Sequence, residues 1–338
     1  MTLLAFARTA VSNRPACCWL ALLAVISPVV LDPTARPAAA TPAEANDIIG
    51  EQRLFISDGE RTLLDVAREY DLGVLEVMAA NPGVDPWLPG DGTVVLLPTA
   101  HLLPDAPRQG IVINLAELRL YYFPGSDQPP MTSAIGIGRT GFTTPLGETK
   151  VVRKQQDPTW YPTPSTLADN QPLPAAVPPG PDNPLGKYAL YLGWDTYLIH
   201  GTNKPYGVGR RVSRGCIRLY PERIEELYRK VPIGTPVSVV HQPVKLGWHD
   251  GDLYIEVHPD LAQLDKLEQT GRVPLRPAGD YSAQIVAKAG TASGRLDWKI
   301  IRTALAQRLG IPIRITQKVV PSGTEAPALL DERFRNGR

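Results

Sequence analysis

Residues 197–219 read Tyr197-Leu-Ile-His200-Gly201-Thr202-Asn203-Lys-Pro-Tyr-Gly207-Val208-Gly209-Arg-Arg-Val212-Ser213-Arg214-Gly215-Cys216-Ile217-Arg218-Leu219. An apolar, strand-like run closes on His200. A loop with three glycines follows, and Ser213-Arg214-Gly215-Cys216 then leads into strand-like Ile217-Arg218-Leu219. Nucleophilic catalysis combines these residue types. A thiol is a weak nucleophile until a base within hydrogen-bond reach takes its proton. Gly215 lets backbone approach a substrate without side-chain obstruction. It also leaves the Cys216 amide free to stabilise an oxyanion. Arg214 and Arg218 flank the thiol, and their charge favours the thiolate.

Blander readings exist for each residue. A strand-end histidine is commonly structural, and a lone cysteine is commonly a small buried hydrophobe. A zinc site would need three or four ligands. The other histidines, His101, His241, His249 and His258, form no short-spaced ligand pair with Cys216, so no metal is expected.

The N-terminus weighs against the inert cysteine. Arg8 and Arg14 precede an apolar run from Ala16 to Leu31, and Ala38-Ala39-Ala40 offers a cleavage point. That is the pattern of an export signal over residues 1–40. The run is short for a membrane span and contains Pro28, which disfavours an uncleaved anchor. Cys17 and Cys18 stand at the start of the run rather than after it, which disfavours a lipoprotein. After cleavage only Cys216 remains of three cysteines. An unpaired cysteine in an exported protein implies a reactive thiol or an intermolecular bond.

At 43% hydrophobic and 20% charged, the chain has the apolar mass for a real core. Its 35 prolines argue against an all-helical protein. The net charge is +1 with no basic block, so nucleic acid is not an expected partner. The fold class expected is mainly β with α+β accessory segments. Residues 109–243 read as β-rich. Ile111, Ile113 and Leu115 alternate, as do Leu118, Leu120 and Tyr122, which is a hairpin signature. Further strands are read at residues 133–138, 150–153, 187–192, 197–200 and 235–240. Ile224, Leu227, Tyr228 and Val231 keep helical spacing. Residues 157–184 form a long proline-rich loop of the kind that covers sites.

Residues 47–98 read strand, helix, helix, strand, with Thr62 as a cap. Residues 248–316 form a third, α+β segment with a strand at 252–257 and a helix near 298–309, and 321–338 a flexible tail. The third segment carries no chemical motif and is expected beside the catalytic groove.

Two resemblances join these pieces. The 47–98 segment resembles a LysM module, which binds peptidoglycan glycan strands, through Asp58-Gly59-Glu60-Arg61-Thr62-Leu63, Val66-Ala67, Asn81-Pro82-Gly83-Val84-Asp85 and Leu88-Pro89-Gly90. Residues 111–243 resemble the YkuD-type L,D-transpeptidases. The matching residues are His200, Gly201, Gly207, Ser213, Gly215, Cys216, Ile217 and Arg218. Ile135-Gly136-Ile137-Gly138 with Thr144-Pro145-Leu146-Gly147 looks like the family's opening segment. Pro158-Thr159-Trp160 and Gly180-Pro181-Asp182-Asn183-Pro184-Leu185-Gly186 look like its LysM-containing, ErfK/YbiS-like subgroup. One departure is Arg214, where the family usually has histidine; the family's base is the earlier histidine, here His200.

The resemblance implies a periplasmic enzyme without metal or cofactor. Cys216 would attack a peptidoglycan tetrapeptide stem at its third, diamino acid residue and release D-alanine. The acyl group would pass to an amine of another stem or to the lysine of an outer-membrane lipoprotein. His200 would be the base, the Gly201 carbonyl would orient it, and amides near Gly215 and Cys216 would hold the oxyanion. Ser213, Arg214, Arg218, Trp160 and Tyr161 are the candidate substrate-binding residues. Carbapenems should acylate Cys216. The rivals are an L,D-carboxypeptidase or amidase on the same cysteine and histidine, and a non-enzymatic wall-binding protein. A papain-like peptidase lacks its local signature here.

Overall fold

A computed structural model describes residues 46–125, 128–167, 172–277 and 279–318. The signal expected over 1–40 and the tail 321–338 lie outside them.

The centre is an eight-stranded sheet in the order Ile217–Arg218, Leu198–His200, Tyr188–Leu192, Gly147–Gln156, Pro236–Val240, Gly110–Asn114, Arg119–Phe123, Met131–Ala134. The hairpin read from alternation is present, with Ile111 opposite Tyr122 and Ile113 opposite Leu120. The segment read as one strand over 133–138 is two, Met131–Ala134 and Ile137–Gly138, and the second joins a separate parallel pair with Arg211–Ser213.

Side-chain parity gives this sheet two chemically different faces. Leu190 pairs with Ile199, and Ile199 with Ile217. All three are buried with Val151 in the main core, against Ile224 and Leu227 of helix Pro221–Lys230. One residue along, every side chain turns to the opposite face. Ala189 pairs with His200, His200 with Arg218, and Tyr191 with both Leu198 and Arg153. The same alternation that builds the core therefore lays polar side chains along a second, open face.

The N-terminal segment has the order expected. Strands Arg53–Asp58 and Asp91–Leu97 pair antiparallel around helices Leu63–Glu69 and Val74–Ala80. Thr62 and Asp65 form a reciprocal capping box. The segment shares its core with the β-rich domain: Leu64, Val74, Leu75, Met78 and Ala79 pack among Ile113, Leu120, Ile135 and Ile137. Close approach also joins the two through glycines. Gly209 has φ +74°, and a Cβ there would lie 2.2 Å from Gly73 Cα.

The third segment begins earlier than its sequence suggested. Strand Val244–His249 runs across the expected start at 248 and forms a hairpin with Asp252–Val257. Helices Leu261–Thr270 and Ser282–Ala289, not read from sequence, complete it with Trp298–Gln307. Helix Leu261–Thr270 lies against the strand that leads to the cysteine: Arg211 donates to Asp265 (2.5 Å) and to the Leu261 carbonyl (3.1 Å).

One buried polar cluster ties the connector that follows the N-terminal segment to the β-rich domain and the third segment. Lys245 Nζ lies 2.5 Å from Glu117 and 2.8 Å from Glu256, and donates to the Leu102 carbonyl (2.6 Å). His258 sits 2.7 Å from Glu256. His101, Glu117 and Glu256 are close enough together to hold a metal ion. The ammonium of Lys245 already supplies positive charge to both carboxylates, whereas His101 Nδ1 is buried without a hydrogen-bond partner among the described residues.

Candidate active site

His200 ends strand Leu198–His200 and is buried. Its Nδ1 lies 2.6 Å from the Gly201 carbonyl. A carbonyl can only accept, so Nδ1 carries the hydrogen and Nε2 keeps its lone pair. Gly201 is wedged between Ile224 and the Leu185 carbonyl, where a Cβ would come within 3.1 Å and 3.3 Å respectively. Burial, then the charge of Arg218, pushes the His200 pKa down to about 3; carbonyls of Gly201 and Leu185 oppose this only in part. The imidazole is therefore neutral at rest.

Cys216 precedes strand Ile217–Arg218, which is parallel to the histidine strand, and parity puts Cys216, Arg218 and His200 on one face. Its thiol donates to the Thr196 carbonyl at 3.4 Å. Thr196 has φ +67°, unusual for a β-branched residue, and this turn aims its carbonyl at the sulfur. Burial pushes the thiol pKa up, and the Leu198 amide and Arg218 counter it incompletely. Sequence reasoning weighted the flanking arginines over burial; the structure reverses that order, and the resting thiol is protonated.

The turn before the cysteine is fixed by short bonds. The Gly215 amide donates to Ser213 Oγ (3.1 Å), which donates to the Cys216 carbonyl (2.6 Å). Gly215 has φ +105°, and a Cβ would lie 2.8 Å from the Tyr197 ring, so glycine is required. Thr144 Oγ1 accepts from Gly138 N (3.3 Å) and donates to the Gly215 carbonyl (2.8 Å). Thr144 and Asn183 brace the loops around the site through such bonds, and sequence reasoning quoted both without giving them roles.

Cys216, His200, Arg218, Ser213, Arg214, Trp160 and Tyr161 all line one cleft of about 890 Å³. Arg214 lies on the Phe142 ring (4.3 Å), as does Arg139 (4.7 Å). Trp160 is bridged to Val177 by two backbone hydrogen bonds (2.9 and 2.8 Å). Fully buried Asn183 holds this loop by donating to the carbonyls of Pro158 (2.7 Å), Val177 (3.0 Å) and Pro178 (3.1 Å). Among the described residues Arg139, Arg153, Lys204, Arg214 and Arg218 line the cleft against one carboxylate, Asp157, so it suits an anionic ligand.

The YkuD L,D-transpeptidase catalytic domain matches residues 108–239. YbiS of Escherichia coli K12, a probable L,D-transpeptidase, is 42% identical over 283 residues, covering 81% of this chain and 90% of its own. The chain belongs to the YkuD L,D-transpeptidase family. The probable L,D-transpeptidase ErfK/SrfK of the same organism is 39% identical over 284 residues, covering 81% of this chain and 89% of its own. The solved catalytic domain of the Enterococcus faecium L,D-transpeptidase is 24% identical, covering 40% of this chain and 99% of that one, with a TM-score of 0.32. As a member of this family the protein is a cysteine-dependent enzyme.

Proposed function

We propose that Cys216 is the nucleophile that carries a peptidoglycan stem peptide from one amine to another. The observation that carries this is the shared sheet face and cleft of Cys216, His200 and Arg218. Rotation about the Cys216 Cα–Cβ bond frees the thiol from the Thr196 carbonyl and turns it toward Nε2 of His200. The imidazole takes the thiol proton as sulfur attacks the carbonyl of the stem's third, diamino acid residue. The oxyanion is held by the Cys216 amide, since the Gly215 amide is engaged by Ser213. The C–N bond breaks, His200 returns the proton to the leaving D-alanine, and a thioester remains. An amine of another stem, or a lipoprotein lysine, then displaces the sulfur.

Arg214 and Arg218 bind carboxylates of the stem, and Trp160 and Tyr161 wall the donor. The N-terminal segment acts as a LysM module on glycan strands, and the enzyme works in the periplasm after loss of residues 1–40. Carbapenems acylate the same sulfur. The test is incubation with purified tetrapeptide muropeptides and an amine acceptor, wild type beside Cys216→Ala, read by mass spectrometry. Cross-linked product and a thioester on Cys216 are expected from wild type alone. Only hydrolysed tripeptide in the presence of acceptor would make the enzyme an L,D-carboxypeptidase; activity surviving Cys216→Ala would end the reading.

A further inference from the structure

The face that carries the nucleophile continues beyond the catalytic strands. Tyr191 is paired with Leu198 on one side and Arg153 on the other, and all three line the cleft. The Arg153 guanidinium lies on the Tyr191 ring, 3.4 Å from its centroid. Among the described residues Arg153 has no carboxylate partner. A guanidinium held against an aromatic ring is restrained before any ligand arrives, and its N–H groups stay available for a planar anion. The strand of Tyr191 is two steps across the sheet from that of Cys216. At about 4.8 Å per step, the Tyr191 backbone, whose ring carries the guanidinium, stands roughly 10 Å across the sheet from the backbone of Cys216.

We propose that Arg153, ordered by Tyr191, is a carboxylate subsite for the acyl donor, taking the free carboxylate of the residue before the one that is acylated. This rests on the transferase reading above. In a stem whose second residue is a glutamate linked through its side chain, the α-carboxylate remains free. It lies seven bonds from the third residue's carbonyl, roughly 9 Å when extended by standard bond lengths. The acceptor fits less well. In a diamino acid acceptor the carboxylate shares a carbon with the attacking amine and stays within about 3 Å of the reacting centre.

The test uses the full chain and two tetrapeptide donors that differ only in an α-carboxylate or an α-carboxamide at the second residue, with D-alanine release as the readout. Wild type should favour the acid donor by about tenfold in kcat/KM, the worth of one charge-assisted hydrogen bond. Arg153→Gln should lose that preference through a higher KM for the acid donor alone, and Tyr191→Leu should lose part of it. An equal loss on both donors, or a loss that appears only on varying the acceptor, overturns the subsite. No release from either donor by wild type overturns the transferase reading, and the subsite with it.

Discussion

His200 and Arg218 are direct partners across the parallel strands at the edge of the sheet, and both face the cleft. The Arg218 charge holds the imidazole down and also draws the Cys216 thiol down against burial. Its Nε is buried without a hydrogen-bond partner among the described residues. Arg218→Gln should therefore let both groups rise. The pH profile for alkylation of Cys216 by neutral iodoacetamide should move to higher pH. The rate near neutrality should fall about tenfold for each pH unit by which that profile moves. An unmoved profile would show that Arg218 acts only on substrate.

Acid should weaken the fold through the same histidine. An unfolded histidine binds a proton near pH 6.5, whereas folded His200 does so only at about 3. Across that window the unfolded state holds more protons, so stability falls as pH falls. His101, buried and also pushed well below its ordinary value, adds to the effect. The thermal midpoint should drop between pH 7 and 4, less steeply in His200→Gln. Parallel curves for the two proteins would refute the assignment.

Much of this site could be read from the chain because it is local. Strand alternation, the glycine loop and the Ser213–Cys216 turn lie within one run of residues, and the 111–122 hairpin within another. What could not be read is set by partners distant in sequence. Arg153 and Tyr191 gain meaning only through strand register. Thr196 matters through a positive φ that its residue type disfavours. The direction in which the thiol pKa moves required knowing that burial outweighs Arg218. Strand Val244–His249 was missed because Lys245, fully buried, breaks the apolar pattern and finds its carboxylates in other segments.

Asn183 is the pin of the proline-rich loop that carries Trp160 and Tyr161. Alanine there would leave the carbonyls of Pro158 and Pro178 without their donor, since that of Val177 keeps the Trp160 amide, and the Leu185 amide without its acceptor. Each unsatisfied buried group costs about 1–3 kcal/mol. Because the loop walls the cleft rather than supplying the nucleophile, KM for the stem donor should rise severalfold while alkylation of Cys216 stays near the wild-type rate. Equal losses in both would mean that the whole sheet is disturbed.

Gly209 couples the N-terminal segment to the loop that runs into the nucleophile. Its amide donates to the Ile135 carbonyl (3.1 Å), and its Cα packs on Gly73. Beside this contact, Tyr220 Oη donates to the Leu72 carbonyl (3.0 Å) and Arg223 pairs with Asp71 (2.9 Å). Gly209→Ala adds a methyl 2.2 Å from Gly73 Cα and 2.7 Å from the Val74 nitrogen, both rigid backbone, in addition to the cost of positive φ. Gly83→Ala, at φ +89° with nothing within 4 Å, carries the φ cost alone. Gly83→Ala should cost about 1–3 kcal/mol and leave catalysis intact. Gly209→Ala should cost more and should expose residues 53–97 to proteolysis. It should also slow the enzyme, because strand Arg211–Ser213 loses its backing two residues away. Equal behaviour of the two variants in stability, proteolysis and rate would show that the close glycine contact is not what holds the segments together.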